Sequence, residues 1–131
     1  MAKLTLRIDF GDEQAIGPGK VRLLELIREL GSISAAGRAM GMSYRRAWLL
    51  ADSLNRCFRE PVVFTKLGGR SGGGAALTGL GEDLVESYRT MEAAAAAAAS
   101  AQLRILQRKL ITSLARSRTR AKRAPRSVRS R

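Results

Sequence analysis

Residues 31–58, GSISAAGRAMGMSYRRAWLLADSLNRCF, decide the fold of this chain. A short segment rich in alanine and glycine ends at Gly41, and a tight corner leads from there to Ser43. A longer helix then begins at Ser43 or Tyr44, with two adjacent arginines in its first turn. Two helices joined by a turn of three or four residues form the corner that many DNA-binding proteins use. The sequence therefore predicts a helix-turn-helix, around which the rest of the chain is organised.

The second helix of this corner has two faces. One stripe, at spacings of three and four residues, is expected to pack on the preceding helices: Tyr44, Ala47, Trp48, Ala51, Leu54 and Phe58. Ser34, or alternatively Ser32, is expected to cap the first helix of the corner, whose small residues allow the second helix to cross closely. The opposite side carries Arg45, Arg46 and Leu49, which form either an ordinary solvated face or a DNA-reading surface. We favour DNA reading because the arginines lie in the first turns, where a recognition helix meets base edges.

Before the corner, the sequence predicts one strand and one amphipathic helix. Residues 3–10 alternate between polar and apolar side chains, the period of a half-buried strand. Residues 11–19 read as a polar loop. Residues 18–30 place leucines and an isoleucine on one side, which indicates a helix with one buried face. Gly31 is expected to end that helix in the left-handed conformation.

After the corner, a strand, a glycine-rich loop and a short returning strand are expected. Residues 62–67 and 75–77 are the strands, and residues 68–74 form the loop. The loop lacks the Gly-Lys-Ser/Thr of a phosphate-binding loop and leads to a strand rather than a helix, so it is not a nucleotide site. We interpret this hairpin as a wing, in which Lys66 and Arg70 contact the minor groove or its phosphates.

A long helix is predicted over residues 79–114, capped at its start by Thr78. At 1.5 Å per residue it is roughly 50 Å long, more than this domain can cover alone. Its apolar stripe includes Leu84, Tyr88 and Met91. We expect these residues to pair with the same helix of a second chain, the alternative being a helix folded back on its own domain.

Composition limits the function classes. The 131 residues hold 24 Lys and Arg against 11 Asp and Glu, a net charge of +13, and eight of the basic residues lie in 116–131 with no acidic residue. Such charge favours a nucleic-acid partner. One cysteine and no histidine argue against zinc sites, disulfides and histidine-based catalysis. Neither a cofactor nor a metal is expected. No apolar run reaches the length of a membrane span, so we expect a cytoplasmic, nucleoid-associated protein.

The predicted fold class is mainly α with a small β wing, a winged helix-turn-helix followed by a long C-terminal dimerisation helix. Residues 1–78 form the DNA-binding domain, residues 79–114 the dimerisation helix, and residues 115–131 a disordered basic tail.

Several short motifs together resemble the N-terminal DNA-binding domain of ModE-type molybdate-responsive transcriptional regulators, which is similar to the LysR-type winged helix. The resemblance covers roughly residues 4–92. It rests on residues 31–34 (GSIS), 41–44 (GMSY) and 47–48 (AW), the glycines of the wing, and on Leu77-Thr78, Gly81, Leu84 and Tyr88.

This resemblance implies that DNA contacts fall on Ser43, Arg45, Arg46, Lys66 and Arg70, and dimer contacts on Leu84, Tyr88 and Met91. Family members that sense molybdate carry a C-terminal oxyanion-binding region, whereas this sequence continues into an arginine-rich tail. Direct molybdate binding by this chain is therefore not expected.

Three functions remain to be compared. The first is a homodimeric transcription factor that reads a pseudo-palindromic site in double-stranded DNA, in molybdenum-related gene control. The second is a nucleic-acid binder indifferent to sequence and driven by the tail. The third, an enzyme, has no support because no nucleophile and base are seen together, and Cys57 suits packing.

Overall fold

A computed structural model describes residues 2–12, 14–66 and 74–111 of the chain. Within these residues it is mainly helical, with two small antiparallel sheets of two strands each. The elements in chain order are β1 (Ile8–Gly11), β2 (Gln14–Ile16), α1 (Pro18–Leu30), α2 (Ile33–Ala39), α3 (Tyr44–Cys57), β3 (Val63–Lys66), β4 (Gly74–Leu77) and α4 (Gly79–Arg108). The prediction of a helix-rich chain with little β-structure is confirmed.

Two compact units divide the chain. Leu4–Ala97 form the larger one, and residues 2–3 and 98–111 belong to the other. The core of the larger unit lies between the apolar face of α1 and the elements that contact this helix, which are β2, α2, α3 and β4. Its fully buried side chains are Ile16, Val21, Leu23, Leu24, Ile27, Ala36, Ala47, Leu54, Val62 and Tyr88.

The helix boundaries agree with local sequence signals. Gly31 ends α1 with a φ of 75°, a backbone conformation in which a Cβ is unfavourable. The cap of α2 is Ser32 rather than Ser34, and its Oγ accepts a hydrogen bond from the Ala35 N–H at 2.9 Å. Thr78 caps α4 in the same way, accepting from the Gly81 N–H at 3.0 Å. These caps are therefore determined within four residues of sequence.

The close crossing of α2 and α3 depends on Gly37. A Cβ built on this glycine would lie 2.9 Å from the Cβ of Ala47, closer than two carbon atoms approach without displacement. Both residues are buried at the crossing. The expectation that small residues in the first helix allow the second to approach is confirmed.

The N-terminal strand is shorter than predicted, and part of the predicted loop is a strand. Burial alternates along residues 4–8 as expected, but only Ile8–Gly11 pair, because their partner β2 is three residues long. Residues 14–16 lie within the loop predicted at residues 11–19, and a strand of three residues is too short to show a periodicity in the sequence. The buried side chain of Ile16 anchors β2 in the core.

Helix α4 ends at Arg108, earlier than the predicted residue 114. Two backbone bonds of the tighter i to i+3 type follow, from the N–H of Lys109 to Leu106 O and from that of Leu110 to Gln107 O. Residues 112–114, and the tail predicted at 115–131, lie outside the described residues. In the described helices, no segment has the length and apolar character needed to cross a membrane.

Candidate nucleic-acid interface

The exposed side of α3 begins at Ser43, which caps the helix. Its Oγ accepts a hydrogen bond from the Arg46 N–H at 3.1 Å, so the helix starts where the sequence predicts. Arg45 and Arg46 follow and are exposed, and Leu49 is 45% exposed one turn later. These four predicted site residues therefore share one accessible surface at the N-terminal end of α3.

Trp48 was expected in the core, and that prediction is wrong. Its side chain is 42% exposed, and Tyr44 is 57% exposed. The buried stripe of α3 is instead Ala47, Ala51 and Leu54. Since α2 crosses α3 closely, the contact accommodates alanines but not an indole ring, and the two aromatic side chains lie beside the exposed arginines.

The β3–β4 hairpin contacts α1 through β4 and is bonded to α3 through a side chain of that helix. Strand β3 pairs with β4 in antiparallel register, with Val63 opposite Leu77 and Lys66 opposite Gly74. Lys66 is exposed, as expected for a DNA contact. The predicted contact Arg70 and the glycines of the loop lie outside the described residues.

Asn55 fixes the hairpin to α3, and sequence reasoning missed it. Its Oδ1 accepts hydrogen bonds from the N–H groups of Val62 and Val63 at 2.8 and 3.0 Å, and its Nδ2 donates to the Val63 carbonyl at 3.1 Å. A backbone bond from the Ala75 N–H to Gly31 O at 2.9 Å also joins β4 to the residue that ends α1. An asparagine inside a helix carries no distinctive pattern, so only the folded chain shows this role.

The basic side chains of this surface lack carboxylate partners among the described residues. Arg45, Arg46 and Lys66 form no ion pair with any carboxylate in the described ranges. Asp52 on the same helix pairs with Arg56 at 3.3 Å. The three positive charges are therefore available to an anionic ligand.

Charges are matched where α1 packs on α4. The carboxylate of Glu25 accepts from Arg89 at 2.9 Å through both oxygens, and Arg28 bonds to Glu82 at 2.9 Å. Hydrogen bonding to Arg89 lowers the pKa of Glu25, and the reciprocal interaction raises the pKa of Arg89. Both arginines therefore have carboxylate partners, unlike Arg45 and Arg46 in the described residues.

The three residues predicted for dimer contact lie in different environments. Tyr88 is fully buried, and its hydroxyl donates to the Leu6 carbonyl at 2.7 Å. Burial also raises its pKa. While this fold is intact Tyr88 cannot reach a second chain, which corrects its predicted role. Leu84 is half-buried and Met91 is 43% exposed, so these two remain candidates.

Metal coordination has no support in the described ranges. No group of three or more Cys, Asp or Glu side chains there is close enough to hold an ion.

Sequence comparison identifies bacterial proteins with molybdenum-related names. The chain is 39% identical over 92 residues to the molybdenum transport protein ModE of Azotobacter vinelandii, covering 70% of this chain and 33% of that protein. It is 44% identical over 81 residues to the molybdenum-pterin-binding protein MopB of Rhodobacter capsulatus, covering 62% and 30%. It is 32% identical over 87 residues to the DNA-binding transcriptional dual regulator ModE of Escherichia coli, covering 66% and 33%.

No family model matches the chain. The chain spans about a third of the length of these relatives. By name they are regulators and molybdenum-related transport or binding proteins rather than enzymes. The resemblance to the N-terminal part of ModE-type proteins is confirmed, and the chain is ModE-like over most of its length.

Proposed function

We propose, starting from this ModE-like sequence, that the chain is a DNA-binding transcriptional regulator in which α2 and α3 form a helix-turn-helix and the β3–β4 hairpin is its wing. The observation that carries the proposal is the surface of α3 and β3. Arg45, Arg46 and Lys66 are exposed there without carboxylate partners in the described residues. An exposed helix with unpaired arginines in its first turn suits the major groove, where arginine binds guanine through two hydrogen bonds.

Base reading falls on the N-terminal half of α3. Arg45 and Leu49 are four residues apart, so they lie on the same face of the helix. In this proposal Arg45 or Arg46 contacts guanine, and Leu49 contacts the methyl group of a nearby thymine. Ser43 and Lys66, with Arg70 in the loop, contact the backbone.

The protein acts as a homodimer through α4 in this proposal. Met91, at 43%, and Leu106, at 61%, are exposed apolar side chains along this helix of 30 residues. A symmetric dimer reads two half-sites separated by a whole number of helical turns, so the operator is a pseudo-palindrome. Such a regulator works in the cytoplasm. Control of molybdenum-related genes belongs to the proposal because ModE regulators are among the relatives. Whether this chain binds molybdate stays untested, and the expectation that it does not remains a prediction.

Selection of bound sites from random duplex DNA tests the proposal. We expect a pseudo-palindrome, and Arg45→Ala should lose about 1–3 kcal/mol of binding free energy at one base-pair position. Equal weakening on every sequence would instead make Arg45 a phosphate contact. Recovery of single half-sites would contradict the dimer.

A second candidate is a nucleic-acid binder indifferent to sequence, favoured by the eight basic residues in 116–131. Deleting these residues separates the two functions. A regulator keeps its site preference with a salt dependence that is less steep by about 0.9 per phosphate contact removed. If affinity disappears and no preference survives, the regulator proposal fails.

A further inference from the structure

An open groove of about 340 Å³ lies between the start of α2, the first turns of α3 and the hairpin. We call it the α3–hairpin groove. The described side chains that carry hydrogen-bond donors along it are Ser32, Ser34, Tyr44, Trp48, Thr65 and Lys66. Ile33 and Ala75, which are buried, also line it. The groove therefore combines donors with apolar contact surface.

The walls of this groove are held in place by hydrogen bonds. Asn55 fixes β3 to α3, and the Ala75 N–H fixes β4 to Gly31 O. On the α2 side, Arg38 donates to Ser34 Oγ at 2.9 Å, which leaves the hydroxyl proton of Ser34 able to point elsewhere. The groove is thus formed before any ligand binds, which reduces the entropic cost of binding.

Several donors along the groove have no partner among the described residues. Neither the Tyr44 hydroxyl nor the Trp48 indole N–H makes a hydrogen bond to these residues, although both side chains are exposed. Lys66 forms no ion pair with them. No described residue lining the groove is Asp or Glu.

We propose that the α3–hairpin groove holds one strand of the DNA sugar–phosphate backbone, with Lys66, Tyr44 and Trp48 contacting its phosphates. This inference rests on the proposed function and extends the backbone contact proposed there for Lys66 to Tyr44 and Trp48 and to a defined groove. Hydroxyl, indole and lysine donors suit phosphate oxygens, and the apolar floor suits deoxyribose. The described lining residues include no Arg, Asn or Gln, the side chains that read guanine and adenine through two hydrogen bonds.

Methylphosphonate scanning tests this assignment. Duplexes carry one uncharged linkage at each position along one strand, and binding is measured for the full chain and for Lys66→Gln. We expect an uncharged linkage at one or two positions to lower the DNA affinity of the wild-type protein. The same linkages should lower the affinity of Lys66→Gln little further. The log–log salt dependence of Lys66→Gln should be smaller by about 0.9.

Tyr44→Phe removes a single hydroxyl and preserves packing. It should weaken binding about two- to tenfold, by a similar factor on selected and random duplexes. Arg59→Gln is the matched control, because Arg59 is exposed, forms no ion pair with described residues and does not line the groove. Any loss of affinity caused by Arg59→Gln should add to the loss caused by each uncharged linkage.

Two outcomes overturn the groove assignment. In the first, the loss of affinity caused by Lys66→Gln adds to the loss caused by every uncharged linkage. In the second, Lys66→Gln weakens binding only at one base-pair position. These are distinguishable from failure of the proposed function. A wild-type chain without sequence preference contradicts the regulator, whereas coupling between Lys66 and particular linkages on random DNA still supports the groove.

Discussion

Arginines of α1 and α4 face carboxylates across the two helices, whereas the two arginines in the first turn of α3 have no carboxylate partner among the described residues. In the first region, Arg89 and Arg28 bond to Glu25 and Glu82 across 64 and 54 residues of sequence. In the second, Arg45, Arg46 and Lys66 have no such partners in the described ranges. The comparison teaches that basic composition alone does not locate a binding surface. Internal ion pairs occupy some of the positive charges, so the candidates for a ligand are unpaired charges that also lie together on one surface, as Arg45, Arg46 and Lys66 do in the proposed function.

The largest expected effect comes from breaking the support of the unmatched region. Asn55→Leu leaves three backbone groups of Val62 and Val63 without partners. Each unsatisfied group costs about 1–3 kcal/mol when buried, and partial exposure should limit the total to about 2–4 kcal/mol of unfolding free energy in urea. Specific DNA binding should be lost as well, because β3 no longer holds its place beside α3.

Asn55→Asp is the matched control, since it keeps the oxygen that accepts from the Val62 and Val63 N–H groups. It should lose less stability than Asn55→Leu. Equal losses in the two variants would show that packing at this position, rather than hydrogen bonding, stabilises the hairpin.

A smaller effect is expected from the matched region. Glu25→Gln removes the charge that pairs with Arg89 and should cost about 1–2 kcal/mol, because the arginine is partly exposed to solvent. DNA affinity should remain within twofold of the wild-type value, roughly 0.4 kcal/mol. A large loss of affinity in this variant would contradict the division of the two regions.

The pH dependence of stability follows from the same pair. Because Arg89 lowers the pKa of Glu25 in the folded state, the unfolded chain binds this proton more readily. The contribution of the pair is present above the pKa of an unfolded glutamate, about 4.3, and is lost as pH falls through the lower folded pKa. Urea unfolding between pH 6 and about pH 3 should therefore show a smaller loss for Glu25→Gln than for the wild-type chain.

The smallest effect on stability is expected when the unmatched region receives a partner. Leu49→Glu places a carboxylate one turn after Arg45, and the resulting pair stabilises a helix by about 0.2–0.5 kcal/mol. DNA binding should fall strongly, because the new charge repels phosphate and occupies the arginine. Leu49→Gln controls for the lost apolar contact and should bind DNA better than Leu49→Glu.

Much of the fold was predictable because its signals are local. The caps at Ser43 and Thr78 and the glycine that ends α1 act within a few residues, so their positions follow from sequence. The amphipathic face of α1 likewise predicts its burial. Periodicity is less reliable for α3. The spacing of three and four residues predicts a buried Trp48, whereas the buried stripe is narrower and consists of two alanines and a leucine.

Within the candidate site, the sequence correctly predicted the exposure of Arg45, Arg46 and Lys66 but not the residues that position them. Asn55 bonds to residues seven and eight positions away on another element, a distance that no local pattern encodes. The placement of Arg70 lies outside the described residues, so its DNA contact stays a prediction.

The sequence by itself determined the four helices, the cap of α4, the hairpin after the corner and the resemblance to ModE-type proteins. Only the tertiary structure decided that Tyr88 is a core residue, whose hydroxyl bonds to the Leu6 carbonyl 82 positions away. It also decided that Ile16 anchors β2, the partner strand of β1, in the core. The physical reason is the range of the interactions. Caps and turns depend on backbone groups within about one helical turn, whereas burial and ion pairing depend on which distant segments meet.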